Sequence, residues 1–411
     1  MNAYLITPKA ELEARIYKLQ NSLLSNDIEG ILINNEVLEK PDLFYFCGTT
    51  QQAYLYIPGG GKPILMIKKS YERACRDSSL KNKVLLKNIE QIPHILDEYG
   101  YSSSPKTLGI QIQKITAGLY LKYLKIFSNS KIINVQHFIR MVRLKKSAYE
   151  IGIIRRAARI SDTVFARVNE LLKEGMTEVE LAGKLESVAR REGHQGILRM
   201  DNATQENFYG QLMSGPNAAI PTFFNGPTGG QGLNPAMPQS AGFRKIRRCE
   251  PILIDFVGSY NGYVADQTRV ASIGILPHKF VNAYKATLEI QNELRSKIKP
   301  NVYCSELYEV ATKMAHKLGY EAGFMGIGKS RVNFVGHGIG VVMDELPILS
   351  PSRRFNLPLE AGMVIAIEPK IVFNDGVVGL EDSFVINHNG AEQLTNASKE
   401  IIAPKAENGR R

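Results

Sequence analysis

Five strand-like apolar runs in the C-terminal two thirds of the chain are each broken by one acid or one imidazole. That pattern limits the possible folds more than any other feature of the 411 residues. In Ile252-Leu253-Ile254-Asp255-Phe256, period-2 alternation puts Ile252, Ile254 and Phe256 on one face and Asp255 on the other. Asp266 follows in Gly262-Tyr263-Val264-Ala265-Asp266-Gln267-Thr268-Arg269, and His337 sits in Phe334-Val335-Gly336-His337-Gly338-Ile339-Gly340. Glu368 ends Val364-Ile365-Ala366-Ile367, and Glu381 ends Val377-Val378-Gly379-Leu380. A carboxylate half-buried in a sheet costs several kcal/mol unless it is paired, hydrogen-bonded or metal-bound. Each of the five, taken alone, reads most simply as a partner for Arg or Lys, and His337 between glycines as a turn residue. Together they form a donor set for two divalent cations, since hard carboxylates and a borderline imidazole suit manganese, cobalt, iron or zinc. Two such ions about 3.5–4 Å apart would share a hydroxide acidic enough to attack at neutral pH.

The rest of the pattern supplies a frame for that cluster. Residues 1–142 alternate strand-like runs (Ile31–Ile33, Ala53–Ile57, Pro63–Ile67, Val84–Leu86, Leu108–Ile110) with helical ones (Glu11–Leu24, Leu119–Phe127), the order of an α/β domain. From Ser147 the period lengthens. Ser147 with Glu150 makes a capping box ahead of Ile153, Ala157, Ile160, Val164 and Val168 at helical spacing, and Thr177 with Glu180 opens a second helix. The order then recurs: Phe280, Tyr284 and Leu294 mark a third helix, and Ser305 is expected to cap a fourth. Lys173, Glu180, Leu181, Ala189 and Gly193 overlay Lys299, Glu306, Leu307, Ala315 and Gly319 at a constant offset. Two related halves with a cleft between them are expected.

Charge and motifs narrow the function classes. The chain has 51 basic against 40 acidic residues, but the excess is spread out, and its densest piece, Arg244–Arg248, has no interleaved aromatics for base stacking. No nucleic-acid partner is expected. No apolar run spans a membrane, the N-terminus lacks a basic region followed by an apolar one, and the four cysteines make no CxxC pair. A cytoplasmic protein is expected. Gly323–Ser330 fits the phosphate-loop spacing, but a helix precedes it and a strand-like run follows, the reverse of what phosphate binding needs. The Gly/Pro-rich stretch from Gly226 to Pro238 reads as a loop over the cleft.

These residues carry a resemblance to a known family. Asp255, eleven residues before Asp266, with Tyr260, Gly262-Tyr263 and Thr268-Arg269, resembles the first metal-binding segment of the creatinase/aminopeptidase P/prolidase superfamily of pita-bread metallopeptidases. Gly336–Gly340 with Glu345 and Pro347 is similar to its histidine motif, and Ile367-Glu368-Pro369 and Leu380-Glu381-Asp382 to its two glutamate motifs. Arg143–Ser147 with Glu150 and Ile151 resembles the junction where its catalytic domain begins. The resemblance implies an α/β N-terminal domain of the creatinase type (1–142) and an α+β pita-bread catalytic domain with a pseudo-twofold internal repeat (143–404), then a basic tail (405–411). It further implies two divalent metal ions, with Asp266 and Glu381 bridging, Asp255 completing one site, and His337 with Glu368 the other. Glu368 would shuttle the proton while a shared hydroxide attacks a peptide carbonyl. A short peptide substrate of Xaa-Pro type and a homodimer are expected on the same ground. Two other readings remain: an amidine hydrolase as in creatinase, whose branch lacks most of these ligands, and a non-catalytic binding protein.

The match departs from the family around the substrate. Family peptidases usually carry a histidine where this chain has Thr222, and another seven residues after the metal histidine, at Asp344. Xaa-Pro enzymes often have an arginine at the place of Gly379, and a glycine is common at the place of Lys370. Those histidines usually hydrogen-bond the substrate carbonyl and the intermediate, a donor worth about 2.7–4 kcal/mol. Thr222 is expected to replace one donor, and Asp344 to bind a cationic group such as a free amino terminus.

Overall fold

The computed structural model describes residues 4–36, 41–200, 207–353 and 356–404, so the basic tail expected at 405–411 lies outside the described residues. The chain divides into two compact units, Met1–Arg143 and Leu144–Arg411. In the first, the elements run α1 (Lys9–Leu24), β1 (Gly30–Asn34), α2 (Pro41–Cys47), β2 (Ala53–Pro58), β3 (Ile64–Ile67), α3 (Tyr71–Asp77), β4 (Asn82–Leu85), α4 (Ile92–Glu98), β5 (Thr107–Ile110), α5 (Ala117–Ile126), β6 (Lys131–Asn134) and α6 (Gln136–Leu144). The strands form one sheet in the order β4-β3-β2-β1-β5-β6. The hairpin pairs β1–β2 and β2–β3 are antiparallel, and the pairs reached through helices (β3–β4, β1–β5, β5–β6) are parallel. Leu32, Tyr54, Met66, Leu108 and Ile110 pack against Leu96, Tyr123 and Phe127 from the helices. Asp42 is buried in this unit and fully engaged: Arg143 Nη1 lies at 2.6 Å, Gln111 Nε2 at 2.6 Å and Lys114 Nζ at 3.3 Å. Burial alone would raise its carboxyl, but Lys114 and Arg143 hold it well below the usual carboxylate range.

In the second unit both expected capping boxes form. Ser147 N donates to Glu150 Oε2 at 3.0 Å ahead of α7 (Ala148–Leu171), and Thr177 N to Glu180 Oε2 at 2.6 Å ahead of α8 (Glu178–Arg191). Strands β7 (Gly210–Ser214), β8 (Ile252–Phe256), β9 (Gly258–Tyr260), β10 (Tyr263–Ala265) and β11 (Thr268–Ala271) follow. Next come α9 (His278–Lys297), α10 (Cys304–Lys317), β12 (Gly336–Gly338), β13 (Glu345–Ile348), β14 (Val364–Ile367), β15 (Lys370–Phe373), β16 (Gly376–Gly379), β17 (Asp382–Asn387) and β18 (Gly390–Gln393). Shifting α8 along the chain by the offset read from the sequence lays its first and last residues on those of α10. One expectation fails there. Ser305 lies inside the first turn, and the residue capping the helix is Tyr303, whose N–H donates to Glu306 Oε1 at 3.4 Å.

The helices cover the sheets because their apolar stripes match the strands' inner faces. Ile252, Ile254 and Phe256 of β8 bury against Ile160, Val164, Val168, Leu181 and Leu185 of α7 and α8. Each such side chain contributes about 1.5–3 kcal/mol relative to exposure. The backbones approach closely at Gly258, where a Cβ would stand 2.0 Å from the Ala157 carbonyl oxygen. Sheets β11-β8-β7 and β13-β12-β14-β17-β18 and hairpins β9–β10 and β15–β16 make up the strands of this unit. The Gly323–Ser330 segment follows α10 and ends in one 3-10 turn at Gly328–Ser330. Among the described residues no helix is long and apolar enough to cross a membrane.

Candidate metal centre

The alternation that buries Ile252, Ile254 and Phe256 turns Asp255 to the other side of β8, away from the helices. Asp266 lies between β10 and β11, His337 in the middle of β12, Glu368 between β14 and β15, and Glu381 between β16 and β17. Each acid near a strand end is held through its backbone. The Asp266 N–H donates to Ser383 Oγ at 2.9 Å, Glu368 N–H to the Val335 carbonyl at 3.0 Å, and Glu381 N–H to the Thr268 carbonyl at 3.1 Å. Arg269, fully buried, ties the last of these together. Its Nη1 donates to the Thr268 and Glu381 carbonyls at 2.8 Å each, and its Nη2 to Asp382 Oδ1 at 2.7 Å. The structure brings all five sequence-selected residues to one pocket, walled also by Asn207, Gln211, Phe224–Thr228, Phe334, Met343, Asp344 and Lys370.

Half of the cluster is an imidazole corner. His337 Nε2 faces Glu368 Oε1 at 3.5 Å, Glu381 Oε1 at 3.7 Å and Asp266 Oδ2 at 3.9 Å. Donors about 2.1 Å from one cation in tetrahedral array would stand about 3.4 Å apart. Asp266, His337 and Glu381 each bring one ligand atom within 4.8 Å of the others, a set that a common ion would draw together, with Glu368 Oε1 beside it. The other ring nitrogen, Nδ1, is 3.2 Å from the Gly338 carbonyl and 3.5 Å from Asp344 Oδ1, acceptors that place the proton there. The Nε2 lone pair then points at three carboxylate oxygens, which is repulsive unless a positive charge lies between. Glu381 Oε1 is buried and has no hydrogen-bond partner among the described residues, so its lone pairs are also left for an ion. These donors fit a divalent cation. Without one, burial followed by the Glu381 and Asp255 charges pushes Asp266 well above the usual carboxylate range. Glu381 is pushed up to about 8, by burial first, with Glu368 and Asp255 adding to it against the relief from Lys370. Burial would lower His337, but Asp344, Glu368 and Glu381 together raise it.

The other half is an ammonium corner. Lys370 Nζ lies 2.6 Å from Glu368 Oε2, 3.0 Å from Asp255 Oδ2 and 3.4 Å from Glu381 Oε2. Its side chain is 2% exposed. Burial would lower its pKa, but Asp255, Glu368 and Glu381 hold it well above the usual lysine value. Reading the sequence singled out Lys370 only as a departure from the family pattern. Its place in the cluster could be read only from which strand lies across from it.

The two residues selected for substrate contact end up differently. Asp344 lines the pocket at a positive φ of 58°, which a short Asx side chain tolerates, and burial first raises its carboxyl, with His337 opposing. Thr222 does not line it, because its hydroxyl donates to the Pro238 carbonyl at 2.7 Å within the loop. Thr228 stands on the wall in its stead, donating to Gln211 Oε1 at 3.1 Å. The Gly/Pro-rich stretch does supply part of that wall, through Gly226–Thr228. Asn207 and Gln211 also border a neighbouring cavity of about 320 Å³ lined by Tyr209, Leu212, Leu233, Met237 and Phe256.

Comparison with known proteins shows the family. The model of metallopeptidase family M24 matches residues 152–388, and that of the Creatinase/Prolidase N-terminal domain matches residues 15–145. The Xaa-Pro dipeptidase of Pyrococcus furiosus is 28% identical over 400 residues, covering 95% of this chain and 100% of that protein. An uncharacterized peptidase of Bacillus subtilis is 27% identical over 399 residues, covering 94% of this chain and 99% of its own. The crystal structure of the prolidase from Pyrococcus horikoshii OT3 is similar with a TM-score of 0.78 at 26% identity, covering 95% of this chain and 100% of that one. The X-Pro aminopeptidase from Thermotoga maritima MSB8 gives 0.76 at 25%, covering 92% and 98%.

Proposed function

The chain belongs to metallopeptidase family M24, with a creatinase-type N-terminal domain followed along the chain by the pita-bread catalytic fold, and from that premise we propose that it is a divalent-metal-dependent peptidase of short peptides, cleaving Xaa-Pro bonds as a dipeptidase or an aminopeptidase. The observation that carries the metal dependence is the imidazole corner, where His337 Nε2 and one oxygen each of Asp266 and Glu381 come within 4.8 Å of one another and Glu381 Oε1 has no hydrogen-bond partner among the described residues. A divalent ion bound there supplies Lewis acidity toward a peptide carbonyl and lowers the pKa of water. The second ion that the family pattern implies would take Asp255, but the ammonium of Lys370 fills that corner, and with it in place the corner does not fit a dication.

The protein's own groups do the rest. Glu368 presents Oε1 to the imidazole corner while Lys370 fixes Oε2, which leaves Oε1 to take a proton from the attacking water and return it to the leaving nitrogen. Asp344 steadies the His337 ring through Nδ1 and offers a carboxylate to a substrate amino group. Loop residues Phe224–Thr228 narrow the mouth and exclude water, and the apolar cavity beside Asn207 and Gln211 has room for a substrate side chain. Manganese or cobalt as the ion, a homodimer and a cytoplasmic setting are parts of the same proposal, supported by the family resemblance alone.

The test is a screen of Xaa-Pro dipeptides and tripeptides in Mn²⁺ or Co²⁺, with Asp266→Asn as control. Turnover that the substitution abolishes is the expected result. Turnover that persists in Asp266→Asn, or survives removal of metal by a chelator, would refute the reading.

A further inference from the structure

A four-carbon stem ending in an ammonium, buried among three carboxylates, is not what a two-metal centre calls for. Lys370 opens β15 and pairs in register with Gly379 of β16 across the hairpin. A Cβ on Gly379 would stand 2.6 Å from Lys370 Cγ and 2.8 Å from the Pro369 carbonyl oxygen, so residue 379 has to lack a side chain for the stem to lie where it does. Positions 370 and 379 are both places where the chain departs from the family pattern, with lysine for glycine at one and glycine for arginine at the other. The hairpin makes them a single device: the space cleared at 379 is the space the lysine stem uses.

The head group is as constrained as the stem. An ammonium has three donors and no acceptor, and here it meets three carboxylate oxygens, on Glu368, Asp255 and Glu381. A dication on Asp255 Oδ2 and Glu381 Oε2 at about 2.0–2.2 Å would occupy the volume that Nζ fills. The lysine side chain is 2% exposed, so the ammonium sits in the corner itself and not in solvent. The imidazole corner has no such occupant. Asp266, His337 and Glu381 each offer a ligand atom within 4.8 Å of the others, and Asp255 is not needed to complete them.

We propose that the Lys370 ammonium is the resident cation of the Asp255 corner, so that this chain takes up one divalent ion, against His337, where its family pattern implies two. The inference rests on the metal-dependent reading above for the His337 corner, and on Lys370 and Gly379 for the other. Lys370 then does electrostatically, with one fixed charge, part of what a second ion would do. It neutralises Asp255 and holds Glu368 Oε2, while leaving no second Lewis acid.

The experiment counts ions rather than turnover. Full-length protein is saturated with Mn²⁺, freed of unbound metal and assayed for manganese per chain by mass spectrometry, alongside Lys370→Gly with circular dichroism as a check of folding. Wild type is expected to carry one ion and Lys370→Gly two. Two ions in wild type, or no gain in a folded Lys370→Gly protein, overturns the proposal. Because the variant removes the positive charge that Asp255, Glu368 and Glu381 share and can lose its fold, wild-type crystals soaked in Mn²⁺ give a second reading. One anomalous peak beside His337 Nε2 is expected, and a second beside Asp255 overturns it. Wild type with no ion and Lys370→Gly with one would sink the metal-dependent function while leaving the lysine in its corner. No ion in either would sink both.

Discussion

Replacing Arg269 by Met tests whether the centre is held from behind by a buried ion pair. The guanidinium is fully buried and makes five hydrogen bonds, to the carbonyls of Thr268, Glu381, Ala397 and Ser398 and to Asp382 Oδ1. Methionine fills much of the same volume but satisfies none of them. Removing one partner of a buried pair costs about 3–5 kcal/mol, because the remaining charge is left uncompensated. Here Lys399 Nζ, 3.0 Å from Asp382 Oδ2, offsets part of that, which places the expectation near the lower end. For a unit of this size about 3 kcal/mol corresponds to a fall in Tm on the order of 10 °C, readable by calorimetry. The mechanism makes a second demand. Since the loss comes from the stranded carboxylate, Arg269→Met/Asp382→Leu should be more stable than the sum of the two single losses by at least about 1 kcal/mol. A single variant that loses less than about 1 kcal/mol, or a double that is simply additive, would refute the reasoning. Arg269 Nη1 also fixes the Glu381 carbonyl, so the same variant should bind Mn²⁺ more weakly, by isothermal titration.

Two further expectations follow from other side chains. His194 is buried, with Nε2 on the Val257 carbonyl at 2.9 Å and Nδ1 accepting from Gly196 N–H at 2.9 Å, so a second proton would set two N–H groups against each other. Burial, with Arg190 adding, lowers its pKa to about 4, against the Val257 bond. The stability it contributes is therefore complete above the unfolded value near 6.5 and lost as pH falls toward 4, by at most about 3 kcal/mol. Urea unfolding at stepped pH should show a steeper acid loss in wild type than in His194→Gln, and identical slopes would rule the account out. Asp344→Ala should lower kcat/KM roughly 10- to 100-fold on peptides with a free amino terminus, the size of one lost charge-assisted hydrogen bond, and far less on amino-blocked peptides. An equal effect on both classes would remove Asp344 as the amino-terminus ligand.

The cluster is legible because acids in apolar sequence are conspicuous. Asp255 sits within an apolar strand and Glu368 and Glu381 directly follow apolar runs, and an acid in such a place needs a positive partner. Ser147, Glu150, Thr177 and Glu180 were legible because capping is local. What failed was non-local or ambiguous. Tyr303 rather than Ser305 caps α10, since the first turn there is fixed partly by Asn356, whose side chain accepts from Ser305 N–H. Strand β6 escaped notice because Lys131 and Asn134 are exposed and only Ile132 and Ile133 between them are apolar, too little for a period. Thr222 was chosen by its place in a motif, but the loop carries it to Pro238 and brings Thr228 to the wall. The site of the Lys370 ammonium depends on the emptiness of Gly379, a cross-strand fact that spacing along the chain does not encode.

The repeat that lays α8 onto α10 also divides the cluster, two aspartates from the strands after the first helix pair and a histidine with two glutamates from those after the second. Neither half alone owns a complete cage. On the one-ion reading, a cation would find its full donor set only once both halves have closed on each other, a latch on a finished assembly rather than a seed for it.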